Sequence, residues 1–350
     1  MTNKSLFANA GKDIPAGLVV FLVALPLCLG IAIASGVQEI PLSGLIAGII
    51  GGLVVGVLSN SPLSVSGPAA GLATLVGGAI AALGGVENYS MFLCAVVLAG
   101  IIQIGLGALK LGGIANYIPS SVIKGMLTSI GILIIAKQLP HAFGRDRDDK
   151  GNITELIEYG SEDMHELFAP LQHIEVGVTI ITIISILIML FWDKSPLKKK
   201  LPFIPGALVA VIVAVIINQI WIGMGSKLNI IEQSHLVNLP IAKSPKEFFS
   251  FFTLPNFSGF TNGTVIMYGF IIALIASLET LLSIEAVDNL DPERRVTNTN
   301  RELFAQGIGN TVAGLIGGLP ITSVIVRSSA NVNAGGRTKL STIFHAFLLL

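Results

Sequence analysis

The stretch SVSGPAAG, residues 64–71, stands between a long apolar run and a shorter, glycine-rich one, and it carries specific information about the fold. Pro68 has no amide hydrogen and suits the first turn of a helix, while its ring favours extended backbone in the residue before it. Extended backbone at membrane depth is tolerated only where it is buried in protein or lines a cavity. We therefore predict an extended segment that leads into a short helix near residues 68–83.

A second stretch of the same kind, ITSVIVRSSA at residues 321–330, follows Gly-Gly-Leu-Pro. Its polar, β-branched start predicts an extended entry into a short helix over 322–335. Two helix N-termini that face each other offer free amide hydrogens and positive dipole ends to an anion, and paired discontinuous helices are typical of transporter binding sites. The alternative is two short helices without a ligand. Arg327 favours the binding site, because charges inside a membrane are costly and usually functional.

The rest of the chain has the composition of a membrane protein. Of its 350 residues 52% are hydrophobic and 12% are charged, and the mean hydropathy is +0.80, whereas soluble domains carry about 25% charged residues. Apolar runs near the length of about 20 residues that crosses a bilayer lie at 14–35, 40–58, 90–113, 118–140, 174–192, 203–224 and 263–287, with a borderline run at 302–319. We predict an all-α polytopic membrane protein.

The distribution of charge predicts the orientation of these spans. Basic residues mark the cytoplasmic side in short loops, and here they are Lys4, Lys12, Lys194, Lys198, Lys199, Lys200, Arg294, Arg295 and Arg301. The loop 141–173 has eight acidic residues against three basic ones and falls on the other side. The prediction is a multi-pass protein of the cell membrane with a cytoplasmic N-terminus. Acidic and basic residues both number 21, so no nucleic-acid partner is predicted.

One carboxylate, Glu279, lies deep in the span 263–287, and Ser283 follows it on the same helical face. At that depth a carboxylate should bind a proton or a cation, which would make it a coupling residue. The alternative is a structural ion pair with Arg327, because buried charges tend to be paired. Thr322 and Ser323 are further candidates for the coupling-ion site. The sequence has no arrangement of nucleophile and base, no metal-ligand cluster and no phosphate-binding loop, so no enzyme, cofactor or resident metal is predicted.

Four stretches resemble the SulP anion permeases, bacterial relatives of the eukaryotic sulfate and anion exchangers. They are DIPAGLVVFLVALPLCLGIAIASG (13–36), VSGPAAG (65–71), IPSSVIKGMLTSIGILIIAKQL (118–139) and NTNRELFAQGIGNTVAGLIGGLPITSVIVRSSANVNAGGRTKLS (298–341). The resemblance covers essentially the whole chain. It implies an inverted-repeat transporter fold, seven spans in each repeat, arranged as a core and a gate domain.

The resemblance also implies the domain boundaries. Residues 1–224 would form the first repeat, spans 1–7 with the half-helix near 68–83. Residues 225–350 would begin the second repeat, with spans 8–10 and part of span 11. The remaining spans, and the regulatory STAS domain of many members, are expected to be absent, so that the second repeat is truncated.

By the same resemblance, the anion lies between the N-termini of the third and tenth helices, with the first and eighth helices beside it. Glu279 takes the place of the family's eighth-helix carboxylate, and Ser283 that of a neighbouring hydroxyl. Glutamate at that position favours a proton as the coupling ion, without excluding Na⁺. The substrate-binding residues implied here are Gly67, Pro68, Ala69, Val326, Arg327, Ser328, Ala24, Leu27 and Ile31. Leu27, Ile31 and Ala69 are apolar where some members are polar or aromatic, which leaves the substrate open.

The leading hypothesis is alternating-access transport of sulfate, bicarbonate or a similar oxyanion, driven by symport through Glu279. An electroneutral anion exchanger in which Glu279 is structural is the nearest alternative. A nucleobase permease of the same architecture, or a passive channel or scaffold, is more distant. The expected partners are the inorganic anion, a coupling H⁺ or Na⁺ and the lipid bilayer, and the resemblance allows a homodimer.

Overall fold

The structure, a computed structural model, describes residues 7–113, 120–144, 174–200, 204–230, 244, 246 and 251–350. The chain divides into two compact units, one of Met1–Leu127 with Leu239–Leu350 and one of Thr128–Asn238. The first unit therefore takes segments from both predicted repeats. The repeat boundary at residues 224 and 225 stays a prediction, because a division by spatial contact does not test internal symmetry.

The elements are mainly helices. In chain order they are α1 (Ala10–Ala34), α2 (Leu42–Ile50), α3 (Gly56–Leu58), β1 (Ser66–Pro68), α4 (Ala73–Ala82), α5 (Tyr89–Ala108), α6 (Ser120–Phe143), α7 (Val176–Phe191), α8 (Pro196–Lys200), α9 (Gly206–Gly223), α10 (Gly263–Leu290), α11 (Thr299–Ile316), β2 (Ile321–Ser323), α12 (Ile325–Asn333) and α13 (Lys339–Leu349). A π-helical turn, Gly51–Val55, joins α2 to α3. In the second unit α7 packs against α9.

The helices follow the predicted apolar runs with shifts at their ends. Among the described residues, four helices are long and apolar enough to cross a membrane by length and composition: α1, Val86–Ala108, α9 and α10. Leu42–Leu58 and Val176–Phe191 are apolar but shorter. The borderline run at 302–319 is the helix α11, which starts three residues earlier. Lys4 and residues 145–173 of the predicted outer loop lie outside the described residues.

Both predicted segments are extended stretches that lead into short helices, but the helices begin later than predicted, because Pro68 and Thr322 lie in the strands β1 and β2. β1 is followed by a 3-10 turn, Ala70–Leu72, and by α4, and β2 is followed by α12. The strands pair antiparallel in a two-stranded sheet within an otherwise helical fold. Their pairing satisfies backbone groups that would otherwise be exposed to an apolar environment.

The first predicted span, 14–35, begins one residue after Asp13, but the structure has Asp13 buried inside α1. Its carboxylate accepts hydrogen bonds from the backbone N–H groups of Arg337 at 2.6 Å and Thr338 at 3.0 Å, and from the Thr338 hydroxyl at 2.6 Å. A carboxylate with three donors can be buried without an unpaired charge-bearing oxygen. This contact joins the start of α1 to the start of α13.

The turn after α10 is held by an ion pair. Arg295 Nε donates to Asp291 Oδ2 at 2.6 Å and its Nη2 donates to Oδ1 at 3.1 Å. Burial alone would raise the pKa of Asp291, but the hydrogen bonds from Arg295 outweigh it and lower the pKa below its ordinary value. The bidentate pair fixes the connection between α10 and α11.

Glycines bring α5 and α11 into close contact. A Cβ on Gly100 would stand 2.5 Å from the backbone nitrogen of Thr311 and 2.6 Å from the carbonyl oxygen of Gly307. A Cβ on Gly307 would stand 2.7 Å from the carbonyl oxygen of Gly100. Because lipid gives no hydrophobic drive for helices to associate, small residues that permit close packing stabilise such pairs.

We expect Gly100→Ala to destabilise the protein by about 1–3 kcal/mol, the usual effect of a methyl group forced into a packed contact. The matched control is Gly105→Ala on the same helix, where a Cβ would meet nothing within 4 Å. Alanine there should leave stability unchanged or raise it slightly, since alanine favours helix over glycine. Thermal unfolding of the detergent-solubilised variants is the measurement. Equal melting temperatures for the two variants would contradict the close α5–α11 packing.

Candidate functional site

The strand pair brings the two half-helices of the first unit together. Ser66 pairs with Ser323, Gly67 with Thr322 and Pro68 with Ile321. Because the strands are antiparallel and only three residues long, α4 and α12 begin at the two ends of one small sheet. The first-turn amides of a helix lack partners within that helix. At the first entry the 3-10 turn Ala70–Leu72 accepts the Ala73 N–H, so the amides that begin this turn, rather than those of α4, lie free beside the sheet together with the first-turn amides of α12.

The buried amides of α11 hold the sheet in place. Asn310 Oδ1 accepts from the Ile321 N–H at 2.6 Å, and its Nδ2 donates to the Ile321 carbonyl at 2.9 Å. Gln306 Nε2 donates to Ser66 Oγ at 2.7 Å. One turn earlier, the buried Glu302 accepts a hydrogen bond from Ser59 Oγ. Thus α11 is hydrogen-bonded to β2 through Asn310 and to β1 through Gln306.

Sequence reasoning missed these α11 side chains as site-forming residues. Glu302, Gln306 and Asn310 recur every four residues, so they form one polar stripe on a helix that is otherwise largely apolar. Polar residues within a membrane span face the protein interior and pair there. The four-residue spacing of these side chains could have identified them as buried. It could not have identified the strand atoms to which they bind.

Glu279 of α10 lies against the start of the first half-helix. Its carboxylate lies directly against Gly71, where a Cβ would stand 2.9 Å from Oε2 and 3.0 Å from Oε1. The buried Oε2 has no hydrogen-bond partner among the described residues. On the same helix, Thr280 Oγ1 accepts from the Ser323 N–H at 3.3 Å, and Ser283 is buried one turn later. Thus α10 contacts both half-helix entries.

The remaining predicted coupling residues belong to β2. The hydroxyl of Thr322 is buried and has no hydrogen-bond partner in the part of the chain that the structure describes. Ser323 Oγ lies 2.6 Å from Ser64 Oγ, on the stretch that leads into β1. Of the two hydroxyls, that of Thr322 is therefore the one left to bind a further group.

Arg327 is fully buried at the start of α12, and its guanidinium lies directly against the backbone of Gly67. The Cys28 thiol and the His345 ring are close enough to Arg327 to interact with its charge. None of its three side-chain nitrogens has a hydrogen-bond partner among the residues the structure describes. The alternative in which Arg327 forms a structural ion pair with Glu279 is wrong in this arrangement, because Glu279 contacts Gly71 instead.

The first helix and the half-helix entries provide the other predicted residues. Helix α1 contacts β1, α4 and α12. Ala24, Ile31, Gly67, Pro68 and Ala69 are buried, Leu27 is partly buried, and Val326 is 59% exposed. The Ser328 hydroxyl accepts from the Val65 N–H at 2.9 Å and donates to the Val324 carbonyl at 2.7 Å, so it is engaged with backbone. What the entries leave accessible is mainly backbone and aliphatic side chains.

The sequence matches the family model of the sulfate permease family over residues 11–350. It is 28% identical over 342 residues to YvdB of Bacillus subtilis (strain 168), which is named as a candidate sulfate transporter, with 97% of this chain and 59% of YvdB covered. It is also 28% identical to the bicarbonate transporter BicA of Picosynechococcus sp. (strain ATCC 27264 / PCC 7002 / PR-6), with 100% of this chain and 58% of BicA covered. The chain thus spans about three fifths of these relatives.

Solved structures share the fold. The transmembrane domain of a cyanobacterial bicarbonate transporter BicA superimposes with a TM-score of 0.76 at 26% identity, with 98% of this chain and 82% of that chain covered. The structure of SLC26A9 gives a TM-score of 0.74 at 20% identity, with 97% of this chain and 52% of that chain covered. These neighbours agree with a membrane protein built from several apolar helices. Together with the match to its family model over 11–350, they establish that this chain belongs to the sulfate permease family.

Proposed function

We propose that this protein is a secondary active transporter of small inorganic anions of the sulfate or bicarbonate class, working by alternating access with proton symport at Glu279. The observation that carries the proposal is the strand pair from which two half-helices start, with Glu279 against one entry and Arg327 behind the strands. The cytoplasmic N-terminus is part of the proposal and rests on the basic residues of the short loops.

The charges around the strand pair favour an anion. Two sets of first-turn amides and two positive dipole ends lie beside it. The Arg327 guanidinium adds a full positive charge, with no carboxylate bonded to it among the described residues. A buried charge without a partner is strongly unfavourable, so an anion held at the half-helix entries would stabilise this arrangement. Arg327 would act through its charge, and backbone amides would supply the direct hydrogen bonds.

The placement of Glu279 suggests how anion and proton are coupled. Its carboxylate and a bound anion would compete for the same positive helix end, since the Glu279 carboxylate already lies against Gly71 at that end. Two negative charges close together in a low dielectric repel strongly. Binding of a proton at Glu279, or of Na⁺ beside it, removes that repulsion, so that anion and cation bind together. The rival is an exchanger in which Glu279 is structural.

The apolar side chains at the half-helix entries would not distinguish one small anion from another. Leu27, Ala69 and Val326 have no polar group on their side chains, so charge and size rather than side-chain hydrogen bonds would govern recognition. The relatives named above are described with sulfate and with bicarbonate. Both anions therefore belong in the test.

The test is uptake of labelled sulfate and, in parallel, bicarbonate into proteoliposomes that contain the protein, with an imposed proton or Na⁺ gradient. We expect one anion to accumulate under an inward proton gradient. Rapid exchange of internal for external anion without accumulation would favour the exchanger instead. Anion flux that only dissipates a gradient would favour a channel, and no anion flux in protein that is folded by its thermal unfolding would overturn the proposal.

A further inference from the structure

A cavity lies where α5 ends and α11 begins, away from the strand pair. It has a volume of about 560 Å³ and opens to the surface of the first unit. Its lining residues are Gly107, Ala108, Lys110, Asn298, Asn300, Arg301 and Phe304. The transport proposal gives this cavity no role.

The polar side chains of this cavity are left with donors only. Asn300 Oδ1 accepts from the Gly112 N–H at 2.7 Å, and Asn298 Oδ1 accepts from the Arg301 N–H at 3.0 Å. Both amide oxygens are therefore in use, and each asparagine retains its NH₂ group. Arg301 uses Nε on the Leu58 carbonyl at 3.1 Å, which leaves its two terminal nitrogens. Lys110 adds an ammonium.

The electrostatic potential at this cavity is also expected to be positive. Asn298 caps α11, so the positive end of this 18-residue helix lies at the cavity. The carboxylates near this helix end are already engaged, because Glu302 accepts from Ser59 Oγ and Gln306 Nε2, and Asp288 accepts from the N–H and the hydroxyl of Thr297. No carboxylate is among the lining residues that the structure describes. Donor groups without acceptors, two of them on cations, match the oxygens of a phosphate group.

The apolar residues beside the cavity indicate that the phosphate group belongs to a lipid. Leu109 is 72% exposed next to Lys110, and Phe304 is 41% exposed on the cavity wall. Apolar side chains beside a basic cavity suit a molecule with an anionic head and a hydrocarbon body. Arg301 belongs to the predicted cytoplasmic side, where anionic lipids attract basic residues at the membrane surface.

We propose that this cavity binds the phosphate group of an acidic phospholipid in the cytoplasmic leaflet, through Lys110, Arg301 and the amide groups of Asn298 and Asn300. The choice of leaflet rests on the orientation proposed above, whereas binding of the lipid does not depend on the transport site, so failure of transport leaves the lipid proposal standing. The site would place a lipid at the junction of α5 and α11. These two helices pack through Gly100, and α11 holds the strand pair through Asn310.

The test is native mass spectrometry of the detergent-solubilised protein titrated with phosphatidylglycerol, with phosphatidylcholine as the neutral comparison. We expect Lys110→Gln with Arg301→Gln to weaken phosphatidylglycerol binding by about thirtyfold, the combined contribution of two basic residues near an anionic membrane surface. The matched control is Lys12→Gln with Arg294→Gln, which removes two exposed cations from the same predicted side outside the cavity. Lys110→Gln alone leaves the Arg301 contact to Leu58 intact and should show part of the loss.

Inorganic phosphate is the second arm of the experiment. Millimolar phosphate that does not displace phosphatidylglycerol supports a lipid site. Displacement, with phosphate itself retained in the cavity, would overturn the lipid assignment in favour of a free-anion site. An equal loss in both double variants would overturn the proposal too, because general surface charge would then explain binding, and so would unchanged binding in the Lys110 and Arg301 variants.

Discussion

Glu279→Gln is expected to abolish concentrative anion uptake while anion exchange across the membrane continues. Glutamine has the shape of a protonated glutamate and cannot release a proton, so the variant would hold the neutral form permanently. The anion could still bind at the half-helix entries, because the repulsion from the carboxylate is gone. Without proton release on the inner side, the gradient can no longer drive accumulation.

The size of this effect follows from the coupling. With the membrane potential clamped at zero, one proton carried per sulfate lets a gradient of one pH unit support an accumulation of about tenfold, because each factor of ten corresponds to about 1.4 kcal/mol. The variant should show no accumulation at all under that gradient. Counterflow of labelled anion against unlabelled internal anion should remain measurable.

A matched control lies on the same helix. Glu285 is six residues further along α10 and is exposed, so Glu285→Gln removes an equal charge away from Gly71. This variant should accumulate anion like the unaltered protein. If Glu279→Gln also accumulated anion normally, Glu279 would have no part in coupling. If it lost counterflow as well as accumulation, a structural role at the Gly71 contact would replace the coupling role.

The two half-helix entries could be predicted because their signals are local. The missing amide hydrogen of Pro68 and the restricted backbone before it are properties of single residues, and the structure indeed has β1 followed by a helical turn. The polar, β-branched start at Ile321–Ser323 likewise predicts extended backbone, and it is the second strand. What the residues alone did not predict is that these two segments pair with each other across more than 250 positions.

The parts that were missed depend on distant partners. The predicted first span begins after Asp13, and the burial of Asp13 could not be inferred because its three donors come from Arg337 and Thr338. Gln306 and Asn310 were part of a recognisable stretch, but their roles depend on the strand atoms beside them. Arg327 was expected near the anion, and its contact with Gly67 could not be inferred from a distance of 260 residues in sequence. Hydrophobic periodicity locates helices and does not give such contacts.

The last prediction concerns the charge behind the strand pair. We expect Arg327→Met to weaken the apparent affinity for the transported anion by more than tenfold. Methionine keeps much of the buried volume, removes the charge and leaves no unpaired donor, so it separates the electrostatic role of Arg327 from a packing role. A unit charge that acts across several ångströms at an effective dielectric constant of about 20 contributes roughly 2 kcal/mol, or about thirtyfold in affinity.

Two further variants make this prediction decisive. Arg327→Lys keeps the charge and should retain most of the affinity, whereas Arg294→Met removes an exposed arginine outside the site and should leave affinity unchanged. The measurement is the concentration dependence of anion counterflow, together with thermal unfolding of each variant. Because a buried guanidinium without a bonded partner is unfavourable in the absence of a ligand, Arg327→Met should unfold at the same or a higher temperature while its affinity falls. An unaltered affinity in the methionine variant would show that the charge of Arg327 does not reach the anion, and that its contact with Gly67 serves packing alone.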